Sequence, residues 1–278
     1  MKRYFSKKNF KRIEKDFNFL VKLISNSHGE YDFAIRKDYF NLYYKGNNMA
    51  RVAPKKNDTY EVSINQKFFD GTKADNPLYY SSKTYKIYKK TIYAKTTLSS
   101  KQLHPFFQKK HLKAFESRIK KVNNGEEITF EQSLITDNLD REDFIIIDRQ
   151  VTDTQLKRKR MDLLALKQIE ENKYHFIVLE VKLGNNPELK EEVASQLNFY
   201  VNHINTNFNS YKKCYEMHFK QKKELGLIKN PDFEEIEITE PVEGKILVGL
   251  YSGIAKKQID ELLKTYPDLN VKLFTNEI

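Results

Sequence analysis

The chain is poor in cysteine, glycine and long apolar runs, and each shortage narrows what it can be. A single cysteine in 278 residues, Cys214, leaves no internal disulfide and no Cys-based zinc motif, and it favours a reducing cytoplasm. The nine glycines form no phosphate-cradling loop and the six histidines form no H-E-x-x-H, so Rossmann and ATPase readings fail. The longest apolar stretch, residues 17–24, is interrupted by Lys22 and is too short to span a bilayer, so no membrane association is expected. The basic N-terminal residues are followed by neither an unbroken apolar segment nor a small-residue cleavage site, so a secretion signal is not expected. Disorder fits poorly too, since a chain this long with 39% hydrophobic residues can close a substantial core unaided.

Charge is what the chain has in quantity, and it is uneven. Residues 1–125 carry 28 basic and 10 acidic side chains, net +18, whereas residues 126–278 carry 21 and 28, net −7. A basic half joined to an acidic half suits a polyanion-binding module beside a site built from carboxylates, because phosphates need cations and metals need carboxylates. Lysines that merely keep a surface soluble give the same count.

Residues 9–26 place Phe10, Ile13, Phe17, Leu20, Val21 and Ile24 at three- and four-residue steps, the buried face of a helix. From Tyr31 the period changes to two, and four short runs separated by turn residues read as an antiparallel meander. Residues 78–94 interleave tyrosine with lysine and read either as an extended edge or as a short helix followed by a strand. These tyrosines could stack on bases or simply pave a half-buried sheet. Pro105 at a first helical turn, then Phe106 through Val122, predicts one long helix ending at Gly125, a natural domain boundary. Beyond it, Thr129 and Gln132 fit a capping box for a short helix carrying Glu131, Leu134 and Ile135. Strands are predicted over 144–150, 161–167 and 174–183, the last two joined by a polar connection at 168–173. A helix over 187–204, a polar segment holding a further helix, a buried strand over 245–251, a helix over 256–266 and a terminal strand complete an α/β layered domain.

Within the central strands, polar residues interrupt apolar runs. Asp162 opens MDLLAL, and Glu180 and Lys182 break FIVLEVKL. Buried charges are costly unless paired or bound to a metal. Glu180 and Lys182 are two apart and so share a strand face, with Val181 on the other. If residues 168–173 make a hairpin, Asp162 lies opposite Glu180 or Lys182, close enough for two carboxylates to share one divalent cation. Carboxylate oxygens completed by water and phosphate suit Mg²⁺ or Mn²⁺. An ordinary salt bridge between Glu180 and Lys182 is the plainer reading, yet their apolar neighbours make burial the expectation.

Asp162, a 17-residue spacer, Glu180-Val181-Lys182 and then a helix with Gln196 and Tyr200 resemble the PD-(D/E)xK nuclease superfamily over residues 126–204. Glu131 stands where the family carries a helical glutamate, and residues 160–164 are similar to the aspartate strand of its RecB-like branches, with Met161 in place of the proline. The resemblance implies metal-dependent phosphodiester hydrolysis. Asp162, Glu180 and the Val181 carbonyl would hold Mg²⁺ or Mn²⁺, with Glu131 contributing directly or through water. Lys182 would orient or help deprotonate the attacking water and stabilise the transition state. Gln196, one turn before Tyr200, would bind a phosphate or steady the water, and Tyr200 would belong to the nucleic-acid contacts. Arg158, Lys159 and Arg160 would grip the backbone, which adds affinity but no sequence reading.

The fold expected is therefore α/β. Residues 126–278 form a restriction-endonuclease-like core, a mixed central sheet flanked by helices, after a basic α+β domain with an antiparallel sheet at residues 1–125 that positions nucleic acid. The function expected is a cytoplasmic Mg²⁺-dependent endonuclease acting on DNA in restriction, phage defence or repair. Cutting both strands needs two active sites or two events, and a homodimer would supply the former. A non-catalytic nucleic-acid-binding protein that keeps the nuclease fold is the alternative, and a protein-interaction scaffold is a third.

Overall fold

A computed structural model of the chain describes residues 1–68, 85–88, 91–122, 125–156 and 159–275. They divide into two units, Lys2–Gly125 with Gln221–Leu227, and Glu126–Lys220 with Ile228–Ile278 and Met1.

In the first unit, α1 (Lys7–Ser25) buries Phe10, Ile13, Phe17, Leu20, Val21 and Ile24, the six residues whose spacing predicts its apolar face. The meander follows as β1 (Tyr31–Arg36), β2 (Tyr39–Tyr44), β3 (Asn47–Pro54) and β4 (Thr59–Asn65). With β5 (Tyr85–Tyr88) and β6 (Thr91–Ser99) they form an antiparallel sheet of order β1-β2-β3-β4-β6-β5. The β2–β3 turn sets both Lys45 and Gly46 at positive φ, which matches the right-handed strand twist and explains a glycine there. Phe17 anchors the core, meeting Phe40 and Tyr60 edge-on at 5.0 and 5.2 Å. Of the tyrosine–lysine segment, 78–84 and 89–90 lie outside the described residues; 85–88 and 91–94 are strand.

The single helix expected from Pro105 is two: α2 (Ser100–Phe106) and α3 (Lys109–Val122). Ser99 donates from its amide and hydroxyl to Gln102 Oε1, a cap that starts α2 early and leaves Pro105 in its last turn.

The second unit opens with α4 (Glu126–Asp137), so Thr129 lies inside the helix rather than capping it. Next come β7 (Phe144–Val151), β8 (Met161–Glu170) and β9 (Lys173–Leu183) as an antiparallel meander. The β8–β9 connection shrinks from the six residues expected to the Glu171-Asn172 turn, with Asn172 at φ 54°. After α5 (Glu192–Thr206) and α6 (Phe208–Glu224), β10 (Glu237–Gly249) returns parallel to β9, and α7 (Ser252–Thr265) leads to β11 (Val271–Leu273), parallel again. The sheet order is β11-β10-β9-β8-β7. β10 begins eight residues before the predicted strand and absorbs Pro241 at a register shift between Thr239 and Val242, where a missing N–H breaks no ladder bond. From Tyr174 to Lys182 every residue of β9 is buried, which accounts for its near-continuous apolar run. The unit is thus mixed α/β. Among the described residues no helix is long and apolar enough to cross a membrane.

Candidate functional site

Pairing of β8 with β9 sets Leu163 opposite Leu179, so the same register carries Asp162 opposite Glu180. Both carboxylates lie where β8 begins and β9 ends, one end of the sheet. Asp162 Oδ2 accepts from the Val181 amide at 3.0 Å, which ties the two strands together. Val181 itself turns to the other face, into the cluster with Leu134, Ile135 and Leu179.

Glu180 and Lys182 are 3% and 7% exposed. The Lys182 ammonium lies 3.0 Å from Glu180 Oε1 and 2.8 Å from Glu188 Oε2. The second Glu180 oxygen, Oε2, is buried without a hydrogen-bond partner, and so is Gln196 Oε1. Unpaired buried oxygens of this kind are costly. Burial first, and then the charge of Asp162, push Glu180 up to about 8. Asp162 is pushed up to about 6 by burial and the nearby charge of Glu131, against the Val181 amide, Lys182 and Arg160. Burial alone would lower Lys182, but the charge of Glu180 and the hydrogen bonds to Glu188 and Glu180 raise it, so it stays an ammonium.

Two carboxylates of this cluster escaped sequence reasoning. Glu188 sits on a 3-10 turn, Pro187–Leu189, whose Asn186 accepts from the Glu188 amide at 3.0 Å; the Asn-Pro pair was the available signal. Its carboxyl is lowered by its bond to Lys182, with help from a hydrogen bond to Gln196. Glu127, in the first turn of α4, is raised by burial and by the charge of Asp162, so it faces the cluster. One helical turn separates it from Glu131, and a charge beside the aspartate was the feature to look for.

Glu131 itself is committed elsewhere. Its Oε1 accepts from Arg149 at 2.6 Å and its Oε2 from Gln150 at 2.9 Å, while Arg149 also donates to Gln132 at 2.7 Å. A guanidinium buried on β7 needs a carboxylate partner, and Glu131, expected to contribute to a metal directly or through water, is that partner. Tyr200 is likewise a strut. It is 4% exposed and its hydroxyl donates to the Arg160 carbonyl at 3.0 Å, fixing the start of β8, where the sequence predicts a nucleic-acid contact. Arg160 is exposed and near enough to lower both Asp162 and Glu131. Lys159 is exposed with its ammonium 4.4 Å from the Phe199 ring centre. Arg158 lies outside the described residues.

The end of β9 is held in place by a close backbone approach. A Cβ on Gly184 would lie 2.3 Å from the Leu250 carbonyl oxygen, so only glycine fits between Lys182 and the Glu188 turn. The opposing Leu250 and Tyr251 both adopt positive φ, and the Tyr251 hydroxyl donates to Glu126 beside Glu127. Among the described residues no three His, Cys, Asp or Glu side chains converge into a ready-made metal cage. The arrangement offers two facing carboxylates, one with a bare buried oxygen, and a fixed ammonium. No family model, curated protein or solved structure matches the chain.

Proposed function

We propose that the second unit is a metal-dependent nuclease domain of the PD-(D/E)xK kind, with a restriction-endonuclease-like core, and that its substrate is DNA. The order of helix, three-strand meander ending in the E-x-K strand, and Gln-bearing helix supports this reading. The observation that carries it is Glu180 Oε2, buried, unpartnered and opposite Asp162. A purely structural Glu180–Lys182 bridge would leave no reason for that bare oxygen or for a second, half-buried carboxylate across the strand.

The donor set fits a hard cation. Two carboxylates are what Mg²⁺ takes from protein when water and substrate phosphate fill the rest of its octahedron. Asp162 and Glu180 would hold it, with Glu127 rather than Glu131 as the nearby third carboxylate. Such an ion supplies charge neutralisation at the phosphate and a more acidic bound water. Lys182, kept charged by its carboxylate neighbours, stabilises negative charge on the phosphate oxygens and orients water rather than accepting its proton. Gln196 Oε1 is free to accept a hydrogen bond from that water.

A second reading, a binding protein that keeps the fold without catalysis, draws on the lack of a three-ligand cage among the described residues. Cleavage of labelled single-stranded, duplex and flapped DNA with Mg²⁺, Mn²⁺ or EDTA separates the two. Metal-dependent cutting is expected, reduced at least about 100-fold in Asp162→Asn and Lys182→Ala, with DNA affinity in EDTA largely retained. Tight binding without cutting by the wild type transfers the conclusion to the second reading. Full activity in both variants discards the site. Nicked against linear product from circular duplex shows whether one or two active sites act per event.

A further inference from the structure

At the end of the sheet that carries Asp162 and Glu180, β10 stops at Gly249 and the chain enters α7 through Leu250 and Tyr251. Parallel pairing sets Gly249 opposite Leu183, so this turn stands beside the end of β9 that bears Lys182. A Cβ on Gly184 would meet the Tyr251 carbonyl oxygen at 2.8 Å and the Ala255 Cβ at 2.9 Å. The Tyr251 hydroxyl lies 3.0 and 3.1 Å from the two oxygens of Glu126 and donates to that carboxylate. Glu127, the next residue, feels the charges of Asp162, Lys182 and Glu188. Tyr251 is therefore tied through both its backbone and its side chain to the rim of the carboxylate site.

Its conformation and its exposure are both unusual. Leu250 and Tyr251 have φ of 58° and 48°, the left-handed region that suits glycine or asparagine and that bulky side chains avoid. Tyr251 is 43% exposed, and among the described side chains it is the one exposed tyrosine. Ile254, three residues on in α7, is 53% exposed. Among the described residues neither a ring nor a cation packs on Tyr251, and its side chain makes no hydrogen bond beyond that to Glu126. Tying α7 to α4 does not account for this, because an exposed hydroxyl–carboxylate bond competes with water and gives no reason for a ring in solvent. Strain held at the mouth of a site, under a side chain left open, points to a contact made with a ligand.

We propose that Tyr251, with Ile254, is the stacking platform for one unpaired nucleobase next to the phosphate at Asp162 and Glu180, so that the DNA is single-stranded or flapped where it is cut. The proposal rests on the nuclease reading of that site. The bond to Glu126 fixes the direction of the ring and leaves its faces free of protein rings and cations. A base is neutral, so Glu126, Glu127 and Glu188 do not repel it as they would a phosphate. Inside a duplex the faces of each base are covered by its neighbours in the stack, and only an unpaired or terminal base offers one. Every base has such a face, so the platform selects strand structure and reads no sequence.

Cleavage in Mg²⁺ of single-stranded and flapped DNA carrying an abasic residue at successive positions tests this. For the wild type, one position flanking the cut is expected to lose at least about fivefold in kcat/KM when its base is missing, and the others little. Tyr251→Asn should erase that penalty, because the ring is gone; asparagine accepts the left-handed turn, so the melting temperature should not fall. Tyr251→Phe keeps the ring and should keep the penalty. The wild type should also cut the single strand or flap faster than blunt duplex, by a margin that shrinks in Tyr251→Asn. An undiminished penalty in Tyr251→Asn, no sensitive position in the wild type, or blunt duplex cut as fast as single strand would each overturn the platform, while metal-dependent cutting left the nuclease reading standing. No metal-dependent cutting of any DNA by the wild type would remove both.

Discussion

At the scale of single residues, Asp162 and Glu180 are carboxylates that the fold has dried out and set against each other. Their ordinary values of 3.8 and 4.5 rise to about 6 and about 8, so between those limits the folded protein holds protons that the unfolded chain has released. Stability from this pair is therefore complete below about pH 4 and is lost as pH rises through about 6 and then about 8. The raised Lys182 adds stability that persists throughout the window, because it is lost only above the lysine range. Thermal melts in EDTA from pH 5 to 9 should show the wild type losing stability faster than Asp162→Asn/Glu180→Gln. Added Mg²⁺ should stabilise the wild type more at the alkaline end, since bound metal needs ionised carboxylates. Parallel wild-type and double-variant melting curves across that range would remove the two groups from any shared site.

At the scale of elements, α4 is fastened to β7 by the buried Arg149, which joins Glu131 and Gln132 on one side of the helix. Arg149→Ala leaves the Glu131 charge buried and unpaired, and should cost about 3–5 kcal/mol in denaturant unfolding. Arg149→Met with Glu131→Leu should recover much of that loss, because both charges go together; no recovery would mean that Arg149 acts by packing. This fastening also shows where the sequence stopped being readable. The apolar face of α1 and the strand positions of Asp162, Glu180 and Lys182 follow from periods of 3.6 and 2, which are local properties of the chain. Which glutamate of α4 faces the site is not local. It depends on Arg149, a residue 18 positions away that binds Glu131 while the charge of Glu131 still reaches Asp162, and on the first turn of α4, which brings Glu127 near the same aspartate. The bond of Tyr200 is non-local in the same way, since its partner is a carbonyl 40 residues earlier. The return of Gln221–Leu227 to the first unit, where the Phe5 amide donates to Gln221, carries no periodic signal at all.

At the scale of the whole molecule, the carboxylate site lies in the half of the chain with net −7, so the proposed DNA substrate would have to be held mainly by the +18 of residues 1–125. Part of that charge is already in structural use. Arg12 donates to the carbonyls of Lys55 and Thr59, Arg36 is buried and bonded to a carbonyl, and the Arg51 guanidinium lies 3.9 Å from the Tyr39 ring centre. Among the described residues, what remains for phosphates is chiefly exposed lysine, which neutralises charge without reading bases. Binding driven this way releases counterions, and 6–10 phosphate contacts imply a loss of about 10³–10⁵ in affinity between 50 and 200 mM salt. Fluorescence anisotropy with a duplex in EDTA should therefore give a steep, linear fall of log affinity with log salt for the full chain. A shallow slope for DNA would mean that the lysines of residues 1–125 serve solubility, and that recognition rests on the few cations around Asp162.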